Sequence, residues 1–115
     1  MLKIFKYSLP GSLMFFLIVL GIAGMAAGDD LATGESLFEA KCQICHGANG
    51  HGDGPAASAL NPKPRNFTDP TFWNNNTDAL IKRTVKTGKG MMPAFNLDDG
   101  EIKAITDYIH HAFKK

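Results

Sequence analysis

Residues 42–46, Cys42-Gln43-Ile44-Cys45-His46, carry the densest reactive chemistry in the chain. They contain the only 2 cysteines of the 115-residue sequence, three positions apart, and a histidine follows at once. That spacing is the signature of covalent c-type haem attachment. Each thiol can form a thioether to one haem vinyl group, and the adjacent imidazole then lies where it can reach the iron. A structural zinc site requires four Cys or His ligands in paired clusters, and no second cysteine pair exists. A redox dithiol ordinarily follows a strand of a βαβ pattern, which is not visible here.

An iron held by one histidine has a sixth position to fill. Met91, Met92, His51, His110, His111, the lysines or no side chain at all are the options. His110 and His111 fall at the end of the last helical segment, where a solvated cation is the ordinary role. His51 follows His46 too closely to cross to the other haem face. Met92 is favoured over Met91. It sits between Gly90 and Pro93 in an irregular stretch, where an apolar filler is least expected and proline fixes the backbone beside it.

Three helical segments must position these groups. The first covers residues 34–45, capped by Thr33, with residues 29–33 as a loose lead. The second runs from Thr77 to about Thr87, with Leu80, Ile81, Thr84 and Val85 inward and Gly88 as the stop. The third is capped by Asp98 or Asp99, with Glu101 in its first turn. Its apolar stripe is Ile102, Ile105, Ile109 and Ala112, joined by Tyr108. Residues 47–76 have no sustained period and hold four glycines and four prolines. So long a loop inside a small domain must wrap something, and Phe67, Phe72 and Trp73 are too apolar for a solvated linker. One short helical turn is expected within residues 56–60. Arg65 and Trp73 stand in this loop with N–H donors to offer haem propionates, because buried charges need partners.

The N-terminus reads differently. Lys3 and Lys6 precede an uncharged run whose densest apolar part is residues 13–27, and Ala26 and Gly28 are small. This pattern predicts a secretory signal peptide over residues 1–28, cleaved before Asp29, and a single domain over residues 29–115. The alternative is an anchor, for which the apolar run is short of the ~20 residues a membrane span needs. Without Lys3 and Lys6, ten basic residues face eleven acidic ones. That argues against nucleic acid, which calls for a basic stripe. A domain this small has a thin core of its own, and a buried porphyrin would supply the missing apolar centre.

Taken together, the haem-attachment motif, Gly54-Pro55-Ala56, Met92-Pro93-Ala94-Phe95 and an aromatic-bearing C-terminal helix resemble a class I monohaem cytochrome c. The resemblance covers residues 31–113. It implies an all-α cytochrome c fold, three to four helices and a long loop around one covalent haem c. It implies Cys42 and Cys45 as thioether sites, with His46 and Met92 as the iron ligands. It also implies the Pro55 carbonyl as acceptor for the His46 Nδ1–H, and a crossing of Gly34 and Phe38 against Ile105 and Tyr108.

The function so implied is electron transport rather than catalysis: a soluble periplasmic carrier cycling between Fe(III) and Fe(II). Redox partner proteins would dock transiently at the haem edge, and a membrane would be involved only if residues 1–28 were retained. Two other readings share the cofactor. One is a haem sensor or peroxidase-like enzyme with a labile sixth ligand. The other is an anchored cytochrome subunit of a respiratory complex.

Overall fold

The computed structural model describes residues 26–115, with side chains from Gly28 onward. Most of the segment read as a signal peptide therefore lies outside the described residues. Four α-helices follow one another: α1 (Ala26–Lys41), α2 (Gln43–His46), α3 (Thr77–Thr87) and α4 (Asp99–Phe113). Two 3₁₀ turns, Ala57–Ala59 and Pro70–Phe72, punctuate the long loop. Among the described residues there is no strand, only one isolated bridge between Lys89 and Met92. The fold is all-α, as expected.

The helix ends follow local chemistry. Asp98 accepts the Glu101 N–H at 2.8 Å, and the Glu101 carboxylate accepts the Asp98 N–H at 2.9 Å. This reciprocal box satisfies two donors that α4 would otherwise leave orphaned. At the start of α3 the buried Thr77 hydroxyl donates to the Phe72 carbonyl at 2.8 Å, tying the helix to the aromatic part of the loop. Asp98→Ala is expected to cost about 1 kcal/mol through loss of the cap. A thermal melt should show it as a drop of about 4–8 °C for a domain of this size.

The core forms where α1 crosses α4 and α3 packs beside them. Phe38 is fully buried, its ring 5.4 Å from Tyr108 and 5.3 Å from Phe113. Gly34 lies at the crossing itself. A Cβ there would stand 2.8 Å from the Tyr108 Cβ and closer still to the Ala104 carbonyl oxygen. The crossing of Gly34 and Phe38 against the Ile105–Tyr108 turn is thus as expected.

Three local expectations are corrected. α1 already covers residues 26–33, so Gly34 is mid-helix and Thr33 is no cap. Residues 26–33 hold no proline, and Asp29 sits in the first turn, where the helix dipole favours it. The helix is also interrupted at Cys42, whose φ of −112° departs from helical values, and resumes as one turn through His46. In α4 the stripe ends on buried Phe113, four residues after Ile109, while Ala112 is exposed. Phe113 carries on the line of Ile105 and Ile109 in steps of four.

Candidate functional site

The one-turn helix α2 brings the two thiols and the imidazole together. Backbone bonds from Cys45 and His46 to the Cys42 carbonyl, at 3.2 and 2.9 Å, wind both sulfurs onto one turn. Cys42 is buried and Cys45 half-buried, and both are free thiols. Burial pushes the Cys42 thiol up to about 11, against a smaller opposing pull from Lys41, so it is protonated near neutral pH.

Downstream, the loop folds back over this turn. Gly52 donates to the His46 carbonyl at 2.7 Å, Gly54 to Cys45 at 3.0 Å and Ala56 to Ile44 at 2.9 Å. Gly52 has φ +76°, and a Cβ there would press on the Pro64–Arg65 backbone, 3.2 Å from the Arg65 oxygen. Only glycine combines that backbone angle with that approach. The result lays residues 64–67 alongside His46. The His46 Nδ1 stands 3.2 Å from the Arg65 carbonyl oxygen. A carbonyl can only accept, so Nδ1 carries the proton and Nε2 keeps its lone pair. Burial holds the imidazole below its ordinary value, outweighing the carbonyl bond that favours protonation. A neutral ring with a free Nε2 is the form that binds a metal.

Met92 enters from the other end of the sequence. Lys89 and Met92 exchange two backbone hydrogen bonds, both 3.0 Å, leaving Gly90 and Met91 as the tip of a tight turn. Phe95 donates to the Val85 carbonyl at 2.9 Å and ties the loop to the end of α3. This geometry separates the two methionines. Met91 is 59% exposed at the tip, whereas Met92 packs against the core.

These elements line a cleft. Cys42, His46 and Met92 all line it, with Phe67, Phe72, Leu80, Ile81, Val85 and Ile109 as apolar walls. The four residues expected on the inner side of α3, Leu80, Ile81, Thr84 and Val85, all face into it. An apolar slot bearing a thiol, a neutral imidazole and a thioether fits a covalently held haem.

Two site expectations are corrected. Pro55 does not receive the His46 Nδ1–H, because Pro55 is exposed and the loop's return delivers the Arg65 carbonyl instead. Trp73 offers no donor to a propionate. Its Nε1–H donates to the Phe67 carbonyl at 2.7 Å, and the residue does not line the cleft. The Arg65 side chain does line the cleft, its guanidinium carbon 5.8 Å from the Phe72 ring centre, and has no ion pair among the described residues. Lys89 is a second cleft-lining cation that sequence reasoning missed. Its signal was local: it opens the turn that ends on Met92.

Comparison with known proteins agrees with this cleft. The family model described as cytochrome c oxidase, cbb3-type, subunit III matches residues 29–109. The chain belongs to the class I cytochrome c family. It is 36% identical over 97 residues to the cbb3-type cytochrome c oxidase subunit FixP of Azorhizobium caulinodans, covering 80% of this chain but 31% of that protein. This cytochrome thus spans only about a third of that relative's length. It is 35% identical over 83 residues to cytochrome c6 of Tetradesmus obliquus, covering 70% of this chain and 89% of that one. Among solved structures, the KustC0563 c-type cytochrome superposes with a TM-score of 0.62 at 28% identity, over 71% of this chain and 98% of its own. The cytochrome binds haem c covalently.

Proposed function

We propose that this chain is an exported, soluble electron carrier with a single His/Met haem c. In this reading Cys42 and Cys45 would hold the haem as thioethers, and His46 and Met92 would hold its iron. The observation that carries it is the convergence of Cys42, His46 and Met92 on one apolar cleft from distant parts of the chain. When bound, haem c supplies a one-electron couple at its iron. The protein's own residues do the rest. The Arg65 carbonyl keeps the His46 proton on Nδ1 and the ring in place. The Lys89–Met92 turn aims the thioether inward. Phe67, Phe72, Ile81 and Ile109 exclude water, while Arg65 and Lys89 offer N–H donors to anionic groups. His46 and Met92, if both held the iron, would leave it no position for a substrate. Partners would dock briefly, through an interface at the small end of the range, below about 1,200 Å².

Similarity that spans 89% of a cytochrome c6 supports a free-standing carrier. The match to part of a longer oxidase subunit favours a second reading, a haem domain serving a membrane complex. Among the described residues no helix is long and apolar enough to cross a membrane. Fractionation with N-terminal sequencing decides between them. The expected result is a mature chain starting at Asp29 in the soluble exported fraction, with one haem added to its mass. An intact N-terminus in the membrane fraction would select the second reading. His46→Ala is expected to abolish accumulation of low-spin holoprotein, checked by visible spectra of the exported fraction. Normal yield of low-spin protein would remove His46 from its proposed role.

A further inference from the structure

The ring of Phe67 lies on the ring of His46, with centroids 4.5 Å apart and planes 17° from parallel. Phe67 is itself held from several directions. Its N–H donates to the Gly50 carbonyl at 2.6 Å, its carbonyl accepts the Trp73 indole N–H at 2.7 Å, and its ring packs against Phe72 at 5.5 Å. It is 6% exposed. Only two residues away, the Arg65 carbonyl holds the Nδ1–H edge of the same imidazole.

A single hydrogen bond leaves a ring free to swivel about it. A flat neighbour on its face removes that freedom. We propose that Phe67 is a positioning residue that sets the plane of the His46 imidazole, a role resting on the reading of His46 as an iron ligand. The Arg65 carbonyl then fixes which edge points away from the metal, and Phe67 fixes the rotation about that direction. Trp73, which sequence reasoning had turned toward the propionates, serves instead to lock Phe67 in place. The device joins the iron's surroundings to the aromatic core through one side chain.

The orientation of an axial imidazole is read directly by spectroscopy of the ferric low-spin protein. Electron paramagnetic resonance gives the g values, and proton resonance gives the spread of the haem-methyl shifts. Phe67→Leu and Phe67→Met keep an apolar filler but lose the flat face. Whichever of them accumulates as holoprotein is expected to show a shifted largest g value and an altered methyl spread. Phe67→Tyr, which retains the ring, is expected to return both to the wild-type pattern. Phe113→Leu is the packing control. That ring stacks on Phe67 at 6.1 Å, and among the described residues His46 stacks on Phe67 and not on Phe113. It is expected to lower the melting temperature without moving either spectrum.

Wild-type g values and methyl spread in the Leu or Met variant would overturn the proposal. So would an equal shift in Phe113→Leu, which would mark a general loosening of the core. Failure of the underlying reading looks different. In that case His46→Ala itself keeps the low-spin signature, and the positioning role falls with it.

Discussion

Replacing Met92 by leucine or alanine is expected to remove the low-spin His/Met signature and lower the reduction potential by an amount on the order of 0.1 V, within the about 0.8 V that axial ligation spans. The argument is electronic. A thioether favours the reduced iron, so its loss stabilises the oxidised state. Packing must be separated from ligation, because Met92 also touches the core. Leucine serves that purpose: exchange of methionine for leucine conserves volume and costs under about 1.5 kcal/mol. The leucine variant should therefore stay folded while losing the weak far-red ferric absorption that marks iron–sulfur bonding. Met91→Leu is the internal control. Met91 is 59% exposed at the tip of the turn, and its replacement should leave potential and spectrum unchanged. A redox titration followed by visible spectra reads both variants. If Met91→Leu lowered the potential and Met92→Leu did not, the assignment would be reversed.

What could be read in the sequence was chemistry confined to neighbouring residues. A thiol pair at one-turn spacing beside a histidine, a helix cap at Asp98 or Asp99 with Glu101 in the first turn, and an inner face on α3 each depend on residues within a turn or two of one another. The structure reproduces all three. What escaped depended on where the chain returns. The choice between Pro55 and Arg65 as acceptor for His46 is made by the turn at Gly52, which brings residues 64–67 back over α2. Composition alone does not show that Trp73 would find a carbonyl six residues upstream before it found a propionate. The start of α1 was misplaced for a related reason. A glycine lowers helix propensity, which puts the expected helix start at Gly34, although the expected passage of a second helix there tolerates it mid-helix.

That crossing carries the other large effect. Gly34→Ala is expected to destabilise the holoprotein, against the ordinary rule for exposed helix sites. Within a helix, alanine gains about 0.5–1 kcal/mol over glycine. Here the added methyl would meet the Ala104 carbonyl and the Tyr108 Cβ, and neither is the end of a flexible side chain. Relief requires α1 and α4 to separate, which loosens the contacts of Phe38 with Tyr108 and Phe113. Overpacking of this kind costs about 1–3 kcal/mol, and the upper end applies because backbone cannot rotate away. The clash outweighs the propensity gain, and a net loss near 2 kcal/mol would lower the melting temperature by about 8–16 °C. Gly34→Val adds more bulk at the same point and should lower it further. Because α4 contributes Ile109 to the cleft wall, the far-red band should weaken as the crossing opens. An unchanged or raised melting temperature in Gly34→Ala would mean that the two helices do not touch at this glycine.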